Sequence, residues 1–517
     1  MARVNNVLLA MTMNEVNSIT NYVVVGGGTA GWISAAILSK ALRNQPHKIS
    51  VVESPDIPTI GVGEATIPSF VDLLEYLQIP LAEFVAKTGA TFKLGIKFVD
   101  WKQKGHHYWH QFGEVGNKID GVDFYQHWLK HHLTTQKYEF TDFSPAVALA
   151  KQHKFFISSP EHPTNLSKST FALHFDASKV AKFLKQYCLS HGVEYVPAKV
   201  CDVTKHNDGS IYSLVTDEGK ELEGDFFFDC SGQRALLIGK ALRVGYTNWQ
   251  HHLPVNSAIA VQSESRGEIP PYTESVALEH GWRWRIPLQE RIGNGYVYCS
   301  DFCSDENARQ TLLANIERPT SEPRKITFTT GVRQKIWDKN CVAVGLSSGF
   351  LEPLESTSIY LVMRTMLKFV QSLPSAQLFQ PTIDEFNRLM VNEYEYIRDF
   401  IILHYCVSER QDSDFWRMWQ HMELPDSLKY KLELFKCQGR LMDNYYDLFS
   451  HESWYAVLEG MGVRPRSYDP AINNSDDMLV AQALDKSFAA LQVSASKCLD
   501  HKDYLDKLIA AFYRATA

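Results

Sequence analysis

Residues 350–360 read FLEPLESTSIY, which puts two glutamates, Glu352 and Glu355, three apart in a run that is otherwise apolar or hydroxyl-bearing. They follow CVAVGLSSG, which reads as a buried strand ending in small residues. Carboxylates at such a place have one general use, the capping of the amide-rich start of a following helix, where the dipole favours negative charge. A second stretch able to do chemistry is GGGTAG from Gly26, between the apolar NYVVV and the helical pattern of WISAAILSKAL. Gly26 permits a tight turn, Gly28 lets backbone amides approach a pyrophosphate, and Gly31 lets the helix pack closely on its strand. The next apolar run, KISVVES, ends at Glu53, at the distance where an acid holds a ribose hydroxyl.

Two later segments return to the same pattern. GDFFFDCSGQRALL, from 224, is an apolar strand ending in small residues and Gly232, and NCVAVGLSSG is another. A helix beginning near Ser356 would direct its amides back at the same place. A nucleotide domain gathered from such distant segments suits FAD better than a compact NAD fold. Two further stretches read blandly on their own. TFKLGIKFVDW looks like one alternating strand, with Lys93 and Lys97 on the same face and solvated lysines as the ordinary outcome. GWRWRIP carries Trp282 and Trp284, read as opposite faces of a strand and as core packing.

The elements that must position these residues need a large chain, and 517 residues is enough for two or three lobes. The expected fold is mixed α/β: a Rossmann-like FAD-binding domain of the flavin monooxygenase type with a mainly helical C-terminal lobe. Residues 1–20 read as a loose extension, 21–380 as the FAD-binding domain with an inserted substrate-facing sheet, and 381–517 as a helical region capping the substrate side. The net charge of -7 gives no electrostatic case for nucleic acid or an anionic membrane. Nine cysteines without paired spacing argue against a structural zinc site or a disulfide framework and suit a reducing cytosol, so a cytoplasmic location is expected. No metal ligands, membrane span or signal peptide are read.

Taken together, GGGTAGW from 26, IGVGEATIPS from 60, FKLGIKF from 92, GWRWRIP from 281 and FLEPLESTSIY from 350 resemble the flavin-dependent halogenases of the tryptophan halogenase family, from Tyr22 to the C-terminus. The resemblance implies FAD supplied as FADH2 by a separate NAD(P)H-dependent flavin reductase, and oxygen and halide used to make hypohalous acid. That oxidant passes through a tunnel to a second pocket holding a small electron-rich aromatic. A homodimer is compatible with the resemblance.

The resemblance also assigns roles. Lys93 matches the essential lysine, which either polarises hypohalous acid or is itself halogenated to a haloamine; Lys97 is the runner-up. Glu355 matches the carboxylate beside the substrate ring, able to stabilise a cationic intermediate and take its proton, and Ser356 a partner of the lysine or oxidant. Glu352 is expected to orient the loop. Thr357 and Ser358 fall at the halide site, with Ser358 standing where the family usually has glycine. Thr29, Ala30, Ser54, Ala65, Val200, Leu346 and Ile359 join Gly26, Gly28, Gly31 and Glu53 as flavin-binding positions. Trp282, Trp284, Ile286 and Pro287 line the tunnel as a barrier.

On the substrate side the resemblance points to His110 and Phe112 as an aromatic platform, and to Tyr445, Tyr446 and Glu452 at the spacing that free-tryptophan enzymes use. The Phe-Trp segment that should follow is missing, so a more open site and an indole-type substrate other than free tryptophan are expected. The alternative activity is a flavin-dependent aromatic hydroxylase, which needs neither Lys93 nor the paired tryptophans; a non-catalytic flavin-binding protein fits the retained Lys93 and Glu355 least.

Overall fold

The structure is a computed structural model that describes residues 19–56, 63–265, 267–374, 377–442 and 447–516. Tyr445, Tyr446 and all but the end of the N-terminal extension lie outside the described residues.

Four apolar runs separated by long insertions meet in one six-stranded sheet. Its order is Trp337–Asp338, Cys341–Ala343, Phe226–Asp229, Asn21–Val25, Lys48–Glu53, Glu194–Pro197. The inner pairings are parallel, with Val24 opposite both Phe228 and Val51, and Phe228 opposite Val342. Such strands are covered on both faces, which is why they read as unbroken apolar runs and not as alternation. The helix Thr29–Leu42 covers one face through Trp32, Ile33, Ile37 and Leu38, all buried. The carboxyl ends of Asn21–Val25, Lys48–Glu53, Phe226–Asp229 and Cys341–Ala343 therefore open on one side, where ligands bind in parallel α/β sheets.

The insertions build two further sheets that matter for the site. A seven-stranded sheet runs Arg324–Thr327, Ser257–Glu264, Arg291–Tyr298, Gly281–Pro287, Thr273–Leu278, Gly95–Val99, His107–Gln111. A three-stranded sheet, Gly63–Ala65, Ala172–Asp176, Thr91–Lys93, carries Lys93 at the end of an edge strand. The expected single strand through TFKLGIKF is thus broken at Leu94, and Lys97 belongs to a different strand in a different sheet. Lys93 and Lys97 therefore do not share a strand face.

From Gln380 onward the described chain is mainly helical, led by the 27-residue helix Gln380–Cys406. Ile397, Phe400, Ile401, Ile402, Leu403 and His404 on that helix are all buried, so its second half runs through the core and delivers side chains to the site. No helix among the described residues is long and apolar enough to cross a membrane.

Candidate active site

The glycine turn is built as its residue types require. Gly26 has φ +122°, and a Cβ added at Gly31 would overlap the carbonyl oxygen of Gly26, so the helix can start only because both positions lack side chains. Around Gly28, in contrast, an added Cβ would meet nothing within 4 Å. The helix that follows has no side-chain cap and no acid in its first turn, which leaves its amide donors and dipole for an anion. Glu53 packs against Gly27 and pairs with Lys185 at 3.3 Å, and the buried Ser54 Oγ beside it has no hydrogen-bond partner. Gly345 approaches Ala30, its would-be Cβ 3.1 Å from that methyl, so the Gly345–Ser347 turn containing Leu346 closes on the same mouth.

Open space at Gly28, free helix amides and an orphaned hydroxyl are what a dinucleotide diphosphate and ribose would satisfy, so the residues present fit FAD. Ile359 is buried at the start of the helix Ser358–Gln371, and Ala65 ends the strand Gly63–Ala65. Val200 lies on a separate antiparallel sheet packed against the face bearing Val23, Val25 and Val52. Gly31→Ala should weaken FAD binding at least about tenfold, because the methyl must displace the Gly26 carbonyl. Quenching of flavin fluorescence on titration measures it.

The two glutamates of the opening motif are not caps. Pro353–Glu355 is a short 3-10 turn, Ser356 takes the left-handed conformation with φ +59°, and the helix begins at Ser358, two residues later than the sequence suggested. No side chain caps that helix. The turn throws the two carboxylates into separate buried environments.

Glu355 is 1 % exposed and Lys93 0 % exposed, and both reach the Ser356 turn. Lys93 Nζ donates to Ser356 Oγ at 2.9 Å and to the Thr66 carbonyl at 3.0 Å, and lies 5.0 Å from the Phe112 ring centroid. Burial pushes the lysine down to about 7, against an opposing pull from Glu355. One Glu355 oxygen is 2.8 Å from His110 Nδ1. The other is 2.8 Å from His404 Nε2, without the alignment of a hydrogen bond, and His404 Nδ1 meets the Tyr108 hydroxyl at 2.7 Å. Burial alone would raise Glu355, but the two imidazoles, His110 foremost, overcome it and hold the carboxyl at about 2. Burial depresses His404, with Glu355 opposing.

Glu352 accepts from Trp282 Nε1 at 2.6 Å and the Tyr405 hydroxyl at 2.7 Å, both on one oxygen, and its second oxygen is buried without a partner. Burial raises it to about 7 despite those two donors. Its folded form therefore holds a proton more firmly than the unfolded chain, so its contribution to stability is full below about 4.5 and is lost as pH rises through about 7. In Glu352→Gln the fall in melting temperature between pH 5 and pH 8 should be shallower than in the wild type; identical slopes would refute this.

Trp282 and Trp284 sit on the same face of the strand Gly281–Pro287, with ring centroids 6.1 Å apart. The expectation of opposite faces was mistaken, because residues two apart in a strand point the same way. Ile286 and Pro287 continue this buried strand, and Ile286 approaches Gly63. Around His110, Phe112, Phe400 and Phe449 have ring centroids 6.4, 5.4 and 5.9 Å from it, and Phe400 and Phe449 stack at 3.8 Å. Trp454 packs on Phe400 at 5.0 Å. Glu452 stands in the first turn of the helix His451–Gly460. Phe400 of this aromatic cluster comes from the long helix Gln380–Cys406. His404, Tyr108, Phe400 and Tyr405 were not singled out from sequence; the polar His404 inside the apolar run FIILHY was the available signal.

A sequence model of the tryptophan halogenase family matches residues 21–477. The chain is 35 % identical to the tryptophan 6-halogenase SttH of Streptomyces toxytricini over 92 % of this chain and 95 % of that one. Among solved structures, a flavin-dependent halogenase from Brevundimonas, BrvH, superposes with a TM-score of 0.91 at 39 % identity, covering 95 % of this chain and 99 % of that one. A flavin-dependent halogenase from Xanthomonas campestris does so with 0.92 at 39 % identity and the same coverage.

Proposed function

The chain belongs to the tryptophan halogenase family and is a flavin-dependent halogenase, and from that premise we propose that it halogenates an indole-type aromatic through Lys93, Glu355 and Ser356. The observation that carries this reading is the convergence of a buried lysine and a buried ionised glutamate on one left-handed turn at Ser356. Isolated buried charges are costly, and a pair kept this dry is better explained by chemistry than by stability.

FAD would be held by the Gly26–Gly31 turn, Glu53, Ser54 and the Leu346 turn, and when bound as FADH2 it supplies the activation of oxygen that oxidises halide. Halide would rest on the uncapped amides at Thr357 and Ser358, where a backbone donor serves as well from serine as from glycine. Lys93, held by Ser356 and Thr66, orients the hypohalous acid or carries its halogen as a haloamine. Glu355 faces the ring, lowers the energy of the cation formed on electrophilic attack and receives the proton lost on rearomatisation. His110 and His404 keep its carboxylate ionised for that task. Trp282, held by Glu352, and Trp284 packed beside it separate substrate from flavin. We assign residues 21–380 to the flavin side and 381–517 to the substrate cap, with a separate NAD(P)H-dependent reductase as source of FADH2.

Aromatic side chains around His110 favour a flat ring over a charged amino acid, so indole is the leading substrate and free tryptophan the comparison. The test is mass spectrometry of indole and tryptophan incubated with the protein, FAD, a flavin reductase, NADH, oxygen and chloride or bromide, with catalase present and Lys93→Ala alongside. Halogenated product that disappears in the variant supports the assignment. Hydroxylated product, or halogenation indifferent to Lys93, would sink it.

A further inference from the structure

The helical tail SKCLDHKDYLDKLIAAFY lies beyond the residues matched by the family's sequence model, and it touches the strand that carries Lys93. That strand, Thr91–Lys93, is paired on one edge only, to Ala172–Asp176. Its other edge is completed irregularly. The parallel pairing of Thr273 with Ile96, continued toward the N-terminus, sets Leu94 opposite Pro271 and Phe92 opposite Ile269. Leu94 N–H donates directly to the Pro271 carbonyl at 2.7 Å. Phe92 does not pair directly: the imidazole of His501 fills the gap, its Nε2 accepting from Phe92 N–H at 3.1 Å and its Nδ1 lying 2.7 Å from the Ile269 carbonyl.

The chemistry of these partners fixes the ring. A backbone N–H can only donate and a carbonyl can only accept, so Nε2 carries the lone pair and Nδ1 the proton. His501 is 1 % exposed, and its own N–H donates to the His153 carbonyl at 2.8 Å. The preceding Leu499–Asp500 pairs with Lys154–Phe155, and Phe155 stacks on Phe92 at 4.1 Å while Tyr504 meets Phe92 edge-on at 5.7 Å. His501 thus holds the residue that directly precedes Lys93 in this clamped strand.

We propose that His501 is a positioning residue for Lys93: the C-terminal helix inserts its imidazole as a missing rung of the sheet and so fixes the height of the lysine over the Ser356 turn. This rests on the reading of Lys93 given above. A three-residue edge strand has few bonds of its own, and a displacement near 1 Å at a reacting group costs on the order of a hundredfold in rate.

The test compares full-length His501→Phe, which keeps the ring but has no acceptor, with His501→Gln, whose amide can both accept and donate. With FAD, reductase and indole, His501→Phe should lower kcat at least about tenfold with KM and FAD affinity nearly unchanged, and His501→Gln should recover most of it. Wild-type kcat in His501→Phe, or a loss in both variants that merely follows their melting temperatures, would overturn the proposal. If His501→Phe does not fold, amide exchange on the wild type decides: strong protection of Phe92 is expected, and exchange as fast as that of an open edge strand refutes the pin. An inactive wild type with a protected Phe92 amide would place the failure in the reading of Lys93 instead.

Discussion

Lys93→Met should leave no halogenated product above about one part in a thousand of the wild-type rate, while FAD still binds. Methionine keeps much of the volume and the apolar stem but offers neither an ammonium to orient hypohalous acid nor an amine to carry halogen. The same substitution should not destabilise the protein at neutral pH, because the wild-type side chain is buried at a cost. In the folded protein the lysine is pushed down to about 7 by burial, against an ordinary 10.5 in the unfolded chain. Below about 7 both states hold the proton and the full penalty of a buried charge is present. Between about 7 and 10.5 the unfolded chain binds more protons, so the stability of the wild type rises with pH and the penalty is relieved. The melting temperature of Lys93→Met relative to wild type should therefore be highest at or below pH 7 and decline toward pH 10. Calorimetry at three pH values together with product quantification checks both halves. A variant that loses activity but shows no such pH trend would mean that the lysine is not desolvated as described.

How much of this was legible beforehand follows from the range of the forces involved. The flavin mouth was readable because it is local: Gly26, Gly28 and Gly31 answer to backbone geometry within one turn, and Glu53 ends the next strand. Apolar runs such as NYVVV and GDFFFD announced a buried parallel sheet, although neither says which run lies beside which. The break at Leu94 was illegible, since alternation continues through Lys93 and Lys97 while the chain passes from one sheet to another to find its hydrogen-bond partners. The shell of Glu355 was hidden for the same reason. His110 lies 245 residues away and His404 is one polar residue in a helix whose spacing is explained by its apolar face. A capping role was the reasonable local reading of Glu352 and Glu355, and it failed because the Pro353–Glu355 turn and the left-handed Ser356 delay the helix to Ser358, while Glu352 is held by Trp282 and Tyr405 and Glu355 by His110.

Glu355→Gln is expected to lower kcat about a hundredfold, with little change in FAD affinity, since an amide can neither take the ring proton nor offset a cationic ring. Its second effect reaches Lys93. Glu355 is the neighbour that pulls the lysine upward against burial, so its neutralisation must move the lysine below about 7. The inflection in the pH–rate profile of the halogenation step should then move to lower pH in the variant, whichever form of the lysine is active. The direction of the limb separates the two chemistries: a rate that falls as pH rises through the inflection means that the ammonium orients hypohalous acid, and one that rises means that the free amine accepts halogen. The stability of the variant carries a check of its own. Glu355 is held at about 2 in the folded state by its imidazole partners, so its contribution is present above about 4.5 and is lost as pH falls through about 2. Acid unfolding of Glu355→Gln should lack that component, and an unchanged acid transition with an unchanged pH–rate inflection would mean that the carboxylate is not coupled to the lysine at all.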